Sequence, residues 1–337
     1  MPSVSIIIPC FNEQTTIRKL LEAIYAQTFP RADLEVVIAD GISTDGTRSE
    51  IAAFSDLHPD LHIAVVDNLK RHIPAGLNCA LKEALGEIIV RLDAHSMPYP
   101  NYIELCVAGL EAGLGENVGG VWEIRPSAET WVAKSIAVAA SHPLGVGDAS
   151  YRYAGKSAQV DTVPFGAFKR DLLALIGFFD ETLLSNEDYE FNARIHKAGG
   201  IVWLDPSIRS VYFARARFSE LAKQYFRYGY WKWRMLRRYS NTLRWRQGLP
   251  PVFVFSLIGL GILGIFLPLF RVLLAAEIIL YAFSLTGAAV QAAFKHKKYF
   301  LVFGLPLAIS CMHISWGMGF LWSMIMGIFT NHDPEKK

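Results

Sequence analysis

Three long apolar stretches near the carboxyl end set the first limit on what this chain can fold into. Residues 251–270, 272–294 and 299–328 are each long enough to cross a bilayer, whose hydrocarbon core is about 30 Å thick and takes roughly 20 helical residues. The first, PVFVFSLIGLGILGIFLPLF, holds no ionisable residue and no amphipathic stripe, which argues against a buried hairpin of a water-soluble protein. Three transmembrane helices are therefore expected within a region of residues 250–330. Glu277 is the one acid inside a span; a partner helix, a polar cavity or a place near the outer interface would each satisfy it.

Charge separates the rest of the chain into two parts. The net charge of +2 conceals 17 Lys and Arg against 27 Asp and Glu in residues 1–214, followed by 10 basic residues and a single acid, Glu220, in residues 215–246. With the basic block before the first span and Lys295, His296, Lys297 and Lys298 between the second and third, retention of positive loops in the cytoplasm predicts amino terminus in, KHKK loop in and carboxyl tail out. Residues 215–249 interleave Phe, Tyr and Trp with Lys and Arg, the composition of a helix lying among lipid headgroups. Nucleic acid could use the same residue types, but the position next to a span favours lipid, and no nucleic-acid partner is expected. No secretory signal is expected either, because the first apolar run, Val4 to Ile8, is closed by Pro9. Cys10, Cys79, Cys106 and Cys311 have no CxxC spacing and read as reduced thiols rather than a zinc site or disulfide framework.

Residues 1–214 alternate strand and helix. The β-branched runs VSIIIP, EVVIAD, IAVVDN, EIIVRLDA and VGGVWEI are separated by helical patterns such as EQTTIRKLLEAIYAQ and PAGLNCALKEALG. That alternation predicts an α/β domain with a mainly parallel sheet, and such sheets bind ligands at the carboxyl ends of their strands. Asp40 and Asp93 both fall at strand ends. His95, two positions beyond Asp93, offers a second ligand to one ion, as Mg²⁺ or Mn²⁺ bridging a diphosphate requires, with imidazole favouring Mn²⁺. The spacing serves equally well a histidine that caps the loop or contacts phosphate while Asp93 alone holds the metal.

Five stretches in order, IIIPCFNEQTTI, ADGISTDGT, LDAH, FGAFKR and NEDYEFNARIHKAGG, resemble the motifs of family 2 inverting glycosyltransferases over residues 1 to about 235. The LDAH variant and the membrane tail resemble bacterial enzymes of exopolysaccharide assembly, of the succinoglycan glucosyltransferase type. The resemblance implies a GT-A type fold, a nucleotide-sugar donor held by Pro9, Asn12, Glu13, Asp40, Arg71 and Asp93, and a divalent cation, Mn²⁺ or Mg²⁺, on Asp93 and His95. Asp40 would accept from the nucleotide base, Asp45 would tie down the GISTDGT turn, and Lys70 or Arg71 would add charge near the diphosphate. Where the family often has a second acid and then a glycine, this sequence has Gly41 and Ile42.

On the acceptor side the resemblance implies Asp188 as the base that takes the proton from the attacking hydroxyl, with Glu187 the neighbouring competitor. Gly166 and Ala167 would let the sugar approach the backbone. Gln224, Arg227 and Tyr228 are similar to the QxxRW element of membrane polysaccharide synthases, with Tyr in place of Trp; the same spacing would also serve to anchor a helix in lipid. The functional expectation is a membrane-anchored, metal-dependent enzyme of the bacterial inner membrane, catalytic domain in the cytoplasm, moving a sugar, most simply from a UDP-sugar, to a polyprenyl-linked glycan. The alternatives are direct transfer to polyprenyl phosphate, a processive synthase, and a silent membrane scaffold for other glycan-assembly proteins.

Overall fold

The computed structural model describes residues 2–147 and 149–329; the carboxyl tail from residue 330, expected outside the membrane, lies outside the described residues. The chain forms two compact units. The first comprises residues up to Glu123 together with Ser150–Tyr212, and the second Ile124–Ala149 together with residues from Phe213 onward.

In the first unit the strands run β1 (Val4–Cys10), β2 (Leu34–Asp40), β3 (His62–Asp67), β4 (Ile88–Arg91), β5 (Met97–Pro98), β6 (Asn117–Pro126), β7 (Ala158–Gln159), β8 (Ala167–Lys169) and β9 (Val202–Ala214), β6 and β9 continuing a little into the second. The sheet order is β3-β2-β1-β4-β8-β6-β9-β5, with β7 paired to β9. β3, β2, β1 and β4 are parallel, whereas β8 runs antiparallel to both β4 and β6. All five predicted strands form. β1 and β2 are buried along their whole length, as central parallel strands covered on both faces must be: Ile6, Ile8, Val36 and Ile38 face one core and Ile7, Val37 and Ala39 the other.

The covering helices include α1 (Ile17–Tyr25), α2 (Thr47–Leu57), α3 (Ile73–Glu83) and α4 (Tyr102–Glu111). α1 buries Ile17, Leu20, Leu21 and Ile24, the three-and-four spacing of one helix face. α3 begins where the His72 imidazole Nδ1 accepts from the Ala75 amide at 3.3 Å, with Pro74 in the first turn, where its missing N–H leaves no bond unmade.

The second unit contains α5 (Trp131–Ala139) and α6 (Pro143–Val146); α7 (Leu172–Ile176) and α8 (Glu187–Lys197) belong to the first unit, and α9 (Phe218–Arg238), α10 (Trp245–Phe266), α11 (Pro268–His296) and α12 (Leu301–Phe329) again to the second. Three of these, α10, α11 and α12, are long and apolar enough to cross a membrane. Their bounds shift slightly from the sequence reading because the chain breaks at Leu267 and α11 restarts at Pro268, whose missing N–H suits the first helical position. Two other boundaries move for reasons of packing. Residues 124–149, read as part of the first domain, pack with the carboxyl-terminal helices, Ser135 filling the space over Gly304 and Gly145 lying on Met312. The basic segment is not an isolated surface helix: α9 lies against α12 so closely that a Cβ on Gly229 would come within 2.1 Å of the Trp316 carbonyl oxygen, and one on Gly319 equally close to that of Phe226.

Candidate active site

At the carboxyl edge of the sheet the loops after β1 and β2 are laced together. Asn12 donates its amide to Ser43 Oγ at 2.8 Å and accepts from the Thr44 amide at 2.9 Å, while the amides of Glu13 and Gln14 donate to Thr47 Oγ1 and Asp45. Asp45 also accepts from the Thr47 amide at 3.0 Å, the turn-fixing part expected of it, and the Thr47 hydroxyl bond lowers its pKa. Pro9 lies in the last turn of sheet pairing, opposite Ala39. The edge has an unusual backbone: Asn12, Ile42, Arg71, Phe165 and Asn186 all have positive φ. Asparagine tolerates this, but for β-branched Ile42, at φ 60°, it is strain. The departure at Gly41 has a local cause, since a Cβ there would meet the Phe11 ring at 3.0 Å.

Asp40 is fully buried and already provided with donors, from the Ser43 amide at 3.0 Å, the Ser43 hydroxyl at 2.5 Å and Arg48 Nε at 2.5 Å. A nucleotide base would thus share this carboxylate with protein groups. Arg71 sits with its guanidinium 6.0 Å from the Phe11 ring centre. Lys70 is paired with Glu181 at 2.5 Å, which assigns it a surface ion pair.

The centre of the site is a residue that the motif reading passed over. Arg91, last in β4 and 3% exposed, donates to Asp93 Oδ1 at 3.0 Å and to Glu187 Oε1 at 2.8 Å and forms an ion pair with Asp188. Burial works against its charge, but the carboxylates of Asp93 and Glu187 outweigh it, so its pKa is raised and it remains a cation. One guanidinium thereby joins Asp93 to both members of the ED pair, about a hundred positions away in the chain. The signal in the sequence was an arginine closing an otherwise apolar strand, a residue type almost never buried without partners.

Asp93 opens a tight turn in which both the amide and the hydroxyl of Ser96 donate to its carbonyl, at 2.9 and 2.7 Å. That turn brings His95 round so that its Nδ1 lies 3.2 Å from Glu13 Oε1. Burial pushes the Glu13 carboxyl up, but its bonds to His95 and Thr16 outweigh that and leave it below the usual range. Glu13, on the β1 loop, is thus a partner of the candidate ligand histidine.

Asp188 and Glu187 start α8, where backbone N–H groups favour negative charge. Glu187 is nearly enclosed, with 11% of its side chain exposed against 26% for Asp188. Gly166 and Ala167 stand at the start of β8, Gly166 lining a small cavity together with Arg91 and Asp188. The space over Gly166 is filled by the Asn117 side chain, bonded to Asn192 of α8 at 2.6 Å, and Ala167 is inaccessible; the small size of Gly166 leaves room for that contact with α8. Gln224, Arg227 and Tyr228 belong to the second unit, on one side of α9, where the Gln224 amide donates to the Tyr228 hydroxyl at 2.9 Å. Among the described residues no group of three or more His, Cys, Asp or Glu forms a ready metal cage.

Known proteins align with this chain along most of its length. A transferase from Methanococcus voltae, dolichyl N-acetyl-alpha-D-glucosaminyl phosphate 3-beta-D-2,3-diacetamido-2,3-dideoxy-beta-D-glucuronosyltransferase, is 28% identical over 97% of this chain and 98% of its own. The succinoglycan biosynthesis protein ExoA of Rhizobium meliloti is 28% identical over 94% and 93%. The structure of the mannosyltransferase PcManGT from Pyrobaculum calidifontis, in complex with GDP-Man and Mn²⁺, superimposes with a TM-score of 0.62 at 22% identity, over 95% of this chain and 87% of that one, a likeness of fold. The profile of glycosyl transferase family 2 matches residues 5–176, just over half of the chain, so the strand-end carboxylates and the ED pair stand in a GT-A-like fold and the chain belongs to glycosyl transferase family 2.

Proposed function

We propose that this protein is an inverting glycosyltransferase of the membrane surface, passing a sugar from a nucleotide donor to a hydroxyl of a lipid-linked glycan in the building of an extracellular polysaccharide. The observation that carries the reading is the Arg91 cluster, in which Asp93, where the donor's diphosphate is expected, and Asp188, where the acceptor is expected, are held by one buried cation. In the reaction the acceptor oxygen bonds to the anomeric carbon as the bond to the nucleoside diphosphate breaks, and Asp188 takes the hydroxyl proton. A base on the acceptor side, opposite the leaving group, gives inversion. Arg91 is a positioning residue that fixes the Asp188 carboxylate. Asp188 is preferred to Glu187 because it is the more accessible of the two.

The donor set suits a hard divalent cation completed by phosphate oxygens and water rather than by protein alone: Asp93 and His95 share one turn, and Glu13 is placed to hold the imidazole in the tautomer protonated at Nδ1. Asp93 and His95 would hold Mn²⁺ or Mg²⁺, which when bound neutralises charge on the departing diphosphate. The lipid-linked acceptor is supported by the names of the long-matching relatives, one acting on a dolichyl-linked sugar phosphate and one in succinoglycan biosynthesis, and by the apolar helices. The placement proposed is a bacterial inner membrane with the catalytic unit in the cytoplasm.

The test is turnover by the purified protein with a panel of UDP- and GDP-sugars, Mn²⁺ and membrane lipid extract. Release of nucleoside diphosphate that depends on both one donor and the lipid fraction is expected. Dependence on a soluble acceptor alone would remove the lipid-linked reading, and no release with any donor would favour a silent scaffold.

A further inference from the structure

Residues 177–186 join α7 to α8, and so lead into the Glu187–Asp188 pair at the start of α8. On one side this segment packs on α8 itself. Phe179, nearly inaccessible, lies against Phe191 with ring centres 4.5 Å apart and planes 18° apart, and Arg194 donates to the carbonyl of Ile176 and, at 3.1 Å, to that of Gly177. On the other side it is held by Asn78, a buried polar residue of α3. The Asn78 side chain exchanges two bonds of 2.9 Å with the Phe179 backbone, Nδ2 donating to the carbonyl and Oδ1 accepting from the amide. Nδ2 donates again to Glu181 Oε1 at 2.9 Å, so both N–H groups and the oxygen of Asn78 are in use.

The second oxygen of Glu181 has a different partner. Oε2 accepts from Lys70 Nζ at 2.5 Å, 111 positions away, on the turn between β3 and α3 where Lys70 and Arg71 stand near the expected diphosphate. That turn is closed on itself, the Arg71 amide donating to the Asn68 carbonyl at 3.1 Å and Asn68 Nδ2 to the His72 carbonyl at 3.0 Å. Lys70 holds the Glu181 carboxyl below the usual range, Asn78 adding to this against burial, and Glu181 in turn raises the pKa of Lys70. An ion pair this open, with 66% of the Lys70 side chain and 29% of the Glu181 side chain exposed, adds little to stability. What it does join is the donor-side turn and the segment that seats the base-bearing helix.

We propose that Glu181 is a positioning residue that links occupancy of the donor site to the placement of Asp188. A diphosphate drawn to the Lys70–Arg71 turn orders that turn, Lys70 carries the order to Glu181, and Asn78 and Phe179 pass it to α8. The inference rests on the reaction proposed above, in which Asp188 must lie within hydrogen-bond reach of the acceptor hydroxyl. It assigns Lys70 to the protein's own carboxylate rather than to the phosphate.

The test is a double-mutant cycle in the full chain, Lys70→Met, Glu181→Gln and the two combined, with UDP and GDP as probes in the presence of Mn²⁺. Glu181→Gln keeps an oxygen for Asn78 and turns an N–H group toward Lys70, so each variant removes the same link from one side and should leave the thermal midpoint in place. Each is expected to lower kcat by about tenfold, within the 10² or so that misplacing a reacting group can cost, and the double variant no further. Amide hydrogen exchange in residues 177–186 is expected to slow when nucleotide binds the wild type, and to lose that response equally in all three variants. Nucleotide binding weakened by Lys70→Met but not by Glu181→Gln, or effects that add in the double variant, would overturn the inference and make Lys70 a phosphate contact. Unchanged kcat and exchange in Glu181→Gln would also overturn it. The exchange readout needs no transfer, so a wild type that binds nucleotide without turnover would remove the reaction while exchange still decides the link.

Discussion

Arg91 ties three carboxylates that serve different ends of the proposed reaction, so substitutions around it separate their roles. Asp188→Asn is expected to keep nucleotide-sugar binding, measured by calorimetry, while slowing transfer by about 10² or more, the scale of a lost general base. Glu187→Gln should slow it less; the reverse order would move the base to Glu187. At His95 the readout is metal titration of turnover at fixed donor concentration. His95→Ala should require more Mn²⁺, and His95→Asp should shift preference toward Mg²⁺, because carboxylate is the harder ligand; identical metal dependence in all three proteins would leave Asp93 alone with the ion. Ile42 gives a prediction about folding. Its positive φ stores roughly 1–3 kcal/mol, which Ile42→Gly should partly release as a raised Tm, offset by the greater freedom of glycine in the unfolded chain. A lowered Tm would mean that the Ile42 side chain contributes more by packing than its backbone costs.

Between elements, contacts rather than composition decide the arrangement. Gly319→Ile would force a side chain against the Phe226 carbonyl and part α9 from α12, with an expected loss of about 2 kcal/mol, whereas Gly287→Ala, with no atom of another element within 4 Å of its would-be Cβ, should change the thermal midpoint little. Equal effects would show that the α9–α12 contact is not tight in solution. What could be read in advance follows the same division. The strands announced themselves because parallel strands buried on both faces must be continuous apolar runs, and Asp40 and Asp93 because they fall at the ends of such strands, whereas Asp188 announced itself only through the resemblance of NEDYE to the family motif. Arg91 did not, since its partners Glu187 and Asp188 are distant in the chain and only the fold brings them to β4. The packing of residues 124–149 was hidden for that reason also: their partners Gly304, Met312 and His313 lie far along the sequence. At Gly166 the small residue makes room for the Asn117 side chain, a contact that only the fold reveals.

The whole chain couples an acidic α/β unit to a basic, apolar one, and the proposed tether to a lipid surface would use the second. A protein held at the bilayer meets a lipid-linked acceptor within a thin layer, so dissolving the acceptor in excess detergent micelles should raise its apparent KM by dilution at that surface. The central claim is inverting transfer to that acceptor through Asp188, and stereochemistry tests it most directly. The measurement is the anomeric configuration, by nuclear magnetic resonance, of the lipid-extracted product formed from an α-linked nucleotide-sugar. A β-linked product, made by the wild type and depleted by about 10² or more with Asp188→Asn, is predicted. An α-linked product, or undiminished transfer by Asp188→Asn, would contradict the account.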